Sequence, residues 1–532
     1  MSLVQGLGGA EGAGTRAKPR RRARPTRAAA QAPVVAEIPP VTRATAPDLP
    51  APFRMPRLRE PKFPSRVVDI RDHGAIGDGK IDCTTAFADA ISATARAGGG
   101  RVLVPAGEWF TGPIHLQSNI NLHFEQGATV RFSNDPGQYL PPVFVRWGGQ
   151  ECYNFSPLIY ARDCNNIAVT GRGKLLGQGK AWWNWEKKEH QTATKLYQMV
   201  LQGVAVGERM FGCTEMPLRP QMILPLNCTN VLLEDFCIAE SPPMWSLHLA
   251  YCENVIIRRV TINAADGPNN DGIVIDSSRN VIVEDCALHT HDDCIALKSG
   301  LNEDGRRVGK PTENVIVRRV RATAGHGGIT IGSDMSGGVR NVFVHDCHYD
   351  GPSAGIRFKA ARGRGGVVEQ VHVQNITMGR IPGDAIQLTT EYPTFVLPNG
   401  SPPVFRDITI RDVTCQQAKT AVRMSGLPDS ALKNIHLEDV TINADEGFCC
   451  SVGNGIRLIN LRVTPRLGPV LSLRDSQQVL IQGLHNADGA SVFLDLRGRQ
   501  TRDIRLQGDV NDHARPAVVL GVDVPKDALV HE

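Results

Sequence analysis

Asn254-Val255-Ile256-Ile257, Asn280-Val281-Ile282-Val283, Asn314-Val315-Ile316-Val317 and Asn341-Val342-Phe343-Val344 are four versions of one phrase. The opening Asn recurs at steps of 26, 34 and 27 residues, and the longest step carries an inserted polar loop at residues 300–312. Earlier copies begin at Asn166 and Asn230, and weaker ones at Gln370, Asp407, Asn434, Gln478 and Asp503. Each repeat reads as a polar turn, a strand, a second turn and a second strand. A period of this length made of strands predicts a parallel β-helix. One coil cannot bury its apolar face alone, whereas stacked coils share a continuous core. Asn tolerates left-handed backbone at the turn, and its amide can ladder with the Asn of the next coil. A propeller blade would need four strands in about 40–45 residues, and the Leu/Asn spacing of a leucine-rich repeat is absent.

Before the repeats, residues 1–60 are rich in Pro, Ala and Arg and read as a disordered leader, followed by one β-helix domain over residues 61–532. Residues 84–97 have the apolar spacing of one amphipathic helix, stopped by Gly98-Gly99-Gly100. That helix is expected to cap the first coil, because an uncovered coil end is an exposed sheet edge. Short strands follow at residues 101–104, 114–116, 120–124 and 129–132, and beyond them helix signals nearly vanish.

The chain has 532 residues and a net charge of +5. The leader holds eight basic and three acidic residues within its first 50, which accounts for the whole excess. The folded body is therefore neutral, and nucleic acid is not an expected partner. No apolar run approaches the eighteen or so residues of a membrane span, and no apolar segment of signal-peptide length follows the Arg cluster. The thirteen Cys are spread out, with Cys286 and Cys347 each six residues after a repeat Asn. They read as small buried hydrophobes rather than a disulfide framework. No CxxC pair or His-rich spacing suggests zinc, and neither a metal nor a cofactor is expected.

Chemistry collects in four consecutive repeats. Asn269-Asn270-Asp271, Asp292-Asp293, Gly325-His326-Gly327 and Arg357-Phe358-Lys359 each abut or overlap a short apolar strand. Asp271 and Asp293 both stand two positions before their strand's first Ile. Asp292 and His326 both stand three before theirs. Arg357 and Lys359 alternate with Ile356 and Phe358 inside the fourth strand. Parallel strands stack about 4.8 Å apart, so three carboxylates, one imidazole and two cations are expected in one patch. Taken singly, each cluster reads as a turn, a satisfied histidine or a solvated strand face. Taken together, like charges at strand spacing repel and raise at least one pKa, an arrangement associated with function. Glycoside hydrolysis needs one protonated carboxyl and one carboxylate at the same bond.

These motifs, in this order, resemble glycoside hydrolase family 28, the polygalacturonase family, whose signatures are Asn-Thr-Asp, Gly-Asp-Asp, Gly-His-Gly and Arg-Ile-Lys. The likeness runs from about residue 67 to about residue 414. It is strongest in His289-Thr290-His291-Asp292-Asp293-Cys294-Ile295-Ala296-Leu297-Lys298-Ser299-Gly300. It implies an all-β, right-handed parallel β-helix that hydrolyses α-1,4-galacturonosidic bonds with inversion, with a bacterial exo-acting enzyme as the nearest type. Carried over by motif, Asp292 resembles the general acid, and Asp271 and Asp293 the pair that activates water. His326 resembles the imidazole that supports the acid, Arg357 and Lys359 the clamp on a galacturonate carboxylate, and Asn269 and Tyr392 substrate contacts. Asn270 replaces Thr, Phe358 replaces Ile, and His291 replaces the usual Gly before Asp292.

The resemblance further implies an acidic polysaccharide or oligosaccharide substrate, a monomer, and a secreted or periplasmic location. Residues 175–222 and the loop 300–312 are expected to wall one end of the cleft, which favours attack at chain ends. Trp182, Trp183 and Trp185 lie on a loop-like stretch, as core or as a sugar platform. The rival readings are a calcium-dependent pectate lyase on a similar fold, hydrolysis of a substituted pectin such as xylogalacturonan or rhamnogalacturonan, and a silent sugar-binding β-helix.

Overall fold

The computed structural model describes residues 49–394, 399–483, 492–508 and 517–531. Residues 1–48, most of the expected leader, lie outside the described residues.

The chain winds as a parallel β-helix, each strand pairing in parallel with the equivalent strand one coil on. In the coils between residues 221 and 332 there are three strands to a coil, not the two read from the sequence, and further on these run together into longer strands. The third lies between the Asn phrase and the catalytic strand, as in Thr261–Ala264, Ala287–Thr290 and Arg321–Ala324. Its short segments alternate polar and apolar residues weakly, so periodicity alone hides them.

The Asn phrases do what their chemistry allows. Asn254, Asn280, Asn314 and Asn341 have φ of 58°, 57°, 56° and 55°. Their side-chain amides donate to one another along the stack, from Asn280 to Asn254 at 3.1 Å, Asn314 to Asn280 at 3.0 Å and Asn341 to Asn314 at 2.9 Å. Inside the coil, Val255, Val281, Val315 and Val342 stack in register and are fully buried. Each such side chain contributes about 1.5–3 kcal/mol when removed from water. The thirteen cysteines are free, ten of them buried, in keeping with the small-hydrophobe reading.

Helix α1 (Thr84–Arg96) buries Phe87, Ala90 and Ile91 over the first coil, as expected of a cap. The sequence reading missed two further helices. Within residues 175–222, α2 (Glu186–Leu201) buries Glu189, Thr192, Leu196 and Val200, a helical stripe whose polar members masked it. The insertion at 300–312 holds α3 (Asn302–Val308). Trp182 is fully buried, edge-on to Tyr139 and Trp185 at 5.3 and 5.0 Å, and is therefore core. The stretch around it forms two 3-10 turns rather than a loop. No helix among the described residues is long and apolar enough to cross a membrane.

The two added helices and a hairpin at residues 143–154 form a lid on the outer face of one sheet. That sheet includes β1 (Met244–Ala250), β2 (Ile273–Asp276), β3 (Ile295–Lys298), β4 (Gly327–Gly332) and β5 (Ala354–Lys359). Beneath the lid a second apolar core joins Val145, Trp147, Leu196 and Phe211 to Trp245, Val274 and Ala296 of the sheet. Buried ion pairs hold it down. Arg146 Nε lies 3.1 Å from Asp276 Oδ2, and Arg209 Nη1 lies 2.8 Å from Asp304 Oδ1 of α3.

Candidate active site

Strand register assembles the site. Ile273 pairs with Ile295, and Ile295 with Ile329, so Asp271 falls beside Asp293 and Asp292 beside His326. Main-chain hydrogen bonds continue the alignment into the turns, with Asp292 N donating to Asn270 O at 3.3 Å and His326 N to Asp292 O at 3.1 Å. Thr330 of β4 pairs with Arg357 of β5, which places both cations one coil further on.

One carboxylate oxygen from each of Asp271, Asp292 and Asp293 lies within 4.8 Å of the others, and all three residues are buried. Two full charges at that spacing repel by about 3.5 kcal/mol at an effective dielectric constant of 20. The site therefore survives only with compensation, and the three carboxylates are compensated unequally. Asp293 accepts from Thr330 Oγ1 at 2.9 Å and Arg357 Nη1 at 3.1 Å on one oxygen, and from Lys359 Nζ at 2.8 Å on the other. Burial opposes its ionisation, but Lys359 and Arg357 outweigh burial and hold its pKa at about 2. Among the described residues, the cation paired with Asp271 is Lys298, with Nζ at 3.9 Å. Burial and the neighbouring Asp292 push its pKa well above the carboxylate range, so the protonated form is favoured there.

Asp292 is intermediate. Burial pushes it up, while the His326 contact, Nδ1 to Oδ1 at 2.9 Å, pulls it down, and the net direction is down. One proton lies in this bond, on Nδ1 or on Oδ1 according to the tautomer. The pair stands beside an ionised Asp293. The acid and the supporting imidazole expected from the sequence are thus in direct contact.

Arg357 and Lys359 stand beneath Tyr392, with Cζ 5.6 Å and Nζ 5.2 Å from the ring centroid. Phe358 points into the coil and is fully buried. Asn269 has φ of 57° and offers its side chain at the rim. Asn270 is buried and its amide donates to Asp266 O. His291 is exposed, its ring 5.7 Å from that of His326. All eight residues expected at the site thus converge on one stretch of sheet. The acidic triad has the donor set of a divalent-cation site. Lys298, Arg357 and Lys359 already neutralise it, however, so the residues do not fit a metal centre.

Three neighbours escaped the sequence reading. Thr330, in the middle of β4, donates to Asp293 Oδ1. Lys298 stands inside the family-like segment, buried, with its ammonium 5.2 Å above the Trp245 ring. Burial works against its charge, but Asp334 and Asp271 outweigh it and raise its pKa. Arg219, from the lid, donates to Asn269 Oδ1 at 3.0 Å. Nothing in sequence pairs it with Asn269, fifty residues later.

The outward-facing column Leu224, His248, Val274, Ala296, Thr330, Arg357, Gln387, Arg423, which runs through β1–β5, shows where the groove lies. Every member is buried up to Thr330, and every member is partly exposed from Arg357 onward. The lid ends at the carboxylates.

A family model for glycosyl hydrolases family 28 matches residues 98–455. A probable polygalacturonase of Vitis vinifera is 30% identical over 385 residues, which span 70% of this chain and 73% of the relative. An exo-poly-alpha-D-galacturonosidase of Dickeya chrysanthemi is 25% identical over 439 residues, spanning 75% and 71%. Among solved structures, a hyperthermoactive exopolygalacturonase from Thermotoga maritima superposes with a TM-score of 0.68 at 33% identity, covering 82% of this chain and 93% of that one. The match spans the coils that carry the carboxylates, the imidazole and the paired cations, and the chain belongs to family 28 of the glycosyl hydrolases.

Proposed function

We propose that this glycoside hydrolase cleaves the α-1,4-galacturonosidic bonds of polygalacturonate or its oligosaccharides, releasing sugar from a chain end with inversion. The observation that carries the reading is one groove holding three crowded carboxylates, a histidine-linked proton and a pair of cations under an aromatic ring. An uncharged sugar makes no use of Arg357 and Lys359, whereas a uronate carboxylate does.

In this reading the Asp292–His326 pair delivers a proton from Asp292 to the glycosidic oxygen. Asp293, the best-stabilised carboxylate, and Asp271 orient the attacking water. Asp293, ionised beforehand, takes up the water's proton once the substrate carboxylate draws Arg357 and Lys359 toward itself and so raises its basicity. Tyr392 lies over the sugar bound by the two cations, and Asn269 holds the neighbouring residue.

The carboxylate spacing is closer to the ~5–5.5 Å of retaining pairs than to the ~6.5–9.5 Å of inverting ones. Inversion is supported by the state of the candidate nucleophiles. Asp293 has both oxygens occupied by Thr330, Arg357 and Lys359. Asp271 favours its protonated form. Neither is a free carboxylate able to attack carbon.

Chain-end action is supported by the column buried up to Thr330 and open from Arg357, together with the exo-acting relatives named above. Because one chain supplies the whole site, we further propose that a monomer suffices and that it meets pectic substrate outside the cytoplasm. The leader and the β-helix at residues 61–532 then divide into a tether and a catalytic body. Time-resolved sizing of products from polygalacturonate tests the reading. Monosaccharide alone from the earliest times is expected, and a ladder of intermediate sizes defeats chain-end action. Loss of activity in chelator, or unsaturated ultraviolet-absorbing products, would favour a lyase instead.

A further inference from the structure

We infer that Arg219 and Glu189, two lid residues distant in sequence from every catalytic motif, are positioning residues that fix Asn269 as a hydrogen-bond donor to the substrate. The inference rests on the galacturonoside reading above and deepens it, because the ligand atom is then an acceptor oxygen of the bound uronate.

Arg219 is completely buried, and so is Glu189 of α2. The guanidinium uses every donor it owns. Nε donates to Glu189 Oε2 at 2.9 Å, and Nη2 to Glu189 Oε1 at 2.5 Å. Nη1 donates to the carbonyls of Pro243 at 3.0 Å and Pro268 at 2.9 Å. The remaining Nη2 proton goes to Asn269 Oδ1 at 3.0 Å. The Arg219 main-chain N–H also reaches Glu189 Oε2, at 2.8 Å. Five donors with five acceptors in one plane is an arrangement only arginine can make.

The consequence for Asn269 follows from chemistry. A guanidinium cannot accept a hydrogen bond, so Oδ1 must face Arg219 and the NH2 group must face away. Among the described residues, Asn269 Nδ2 makes no hydrogen bond, and its side chain is partly exposed at the groove. Its backbone is held as well. Asn269 O accepts from Trp245 N at 3.1 Å, and Trp183 lies across the turn at Gly267. At that turn φ is +80°, and a Cβ would meet the Trp183 ring at 2.1 Å. The turn holds the Asn269 backbone, and Arg219 sets which way its amide faces.

The lid therefore does more than block the groove. Through Glu189 it clamps Arg219, through Arg219 it sets the Asn269 amide, and the amide presents two N–H donors two residues before Asp271. An anionic sugar rewards donors there and penalises acceptors.

Two variants of the full chain test this, each assayed for kcat and KM on galacturonate oligosaccharides and for thermal midpoint. Asn269→Asp keeps an acceptor for Arg219 but turns an anionic oxygen toward the substrate. It is expected to keep the wild-type midpoint or exceed it, while KM rises about tenfold or more. Arg219→Lys is expected to raise KM with a smaller change in kcat, and to add nothing to the KM of Asn269→Ala when the two are combined. A wild-type KM for Asn269→Asp overturns the inference, as does full additivity of Arg219→Lys with Asn269→Ala. If Arg219→Lys fails to fold, Asn269→Asp decides alone. Either negative result leaves wild-type activity on polygalacturonate intact, whereas an inactive wild type defeats the underlying reading first.

Discussion

Replacing Lys359 with Met removes the closest cation on Asp293 while keeping the length of the side chain. In the native protein Asp293 is held at about 2, although it is buried. Set against the ordinary Asp value of about 3.9, this is a stabilisation on the order of 2–3 kcal/mol at neutral pH. The sign follows from linkage. A depressed native pKa contributes stability above the unfolded value, and that contribution is lost as pH falls through about 2.

Without Lys359, Nζ at 2.8 Å is gone, and Arg357 with the more distant Lys298 is left to oppose burial. The carboxyl then titrates above its unfolded value, so its contribution reverses sign and stability falls as pH rises. Breaking a buried pair from one side costs roughly 3–5 kcal/mol at pH 7. A native pKa only one unit above the ordinary value narrows the gap between variant and wild type by ~1.4 kcal/mol between pH 7 and pH 4. Denaturant unfolding at both pH values measures the gap directly. The same variant should move the acidic limb of kcat to higher pH, because Asp293 must be ionised to orient water. A stability gap that is equal at pH 4 and pH 7, with an unmoved acidic limb, would refute the assignment of Asp293 as the cation-stabilised carboxylate.

Three further outcomes are expected. Asp292→Asn should lower kcat by about three orders of magnitude, within the usual range for a general acid, while circular dichroism and thermal midpoint stay near wild type; retained turnover would remove Asp292 from the acid role. Proton NMR of the first-formed product should show the β-anomer of galacturonate, and initial α-anomer would mean retention. Asn280→Ala should cost about 2–4 kcal/mol, from left-handed backbone strain and two lost ladder bonds at 3.1 and 3.0 Å; Asn280→Gly should recover the backbone part only, and equal losses in both variants would contradict this division.

How far the chain declares itself can be judged from particular residues. The Asn phrases at 254, 280, 314 and 341 required only local chemistry, since a left-handed turn and an apolar strand are written in consecutive residues. From their period came the solenoid, and from the offsets before Ile273, Ile295 and Ile329 came the meeting of Asp271, Asp292, Asp293 and His326. A stacked repeat converts sequence spacing into spatial register, and so a site dispersed over more than eighty residues was legible.

What followed no period, or was too short to show one, was hidden. The third strand of the coils between residues 221 and 332 is too short to announce itself. Helix α2 carries Glu189 and Thr192 on its buried stripe and reads as polar. Arg219 meets Asn269 only because the lid folds back across the sheet, and the proton shared by Asp292 and His326 depends on distances that no spacing encodes. The sequence by itself determined the stack and the alignment of the acidic residues, because both repeat with the coil. Tertiary structure decided which carboxylate each cation compensates and where the groove closes, because lid packing and burial set those energies and neither repeats along the chain.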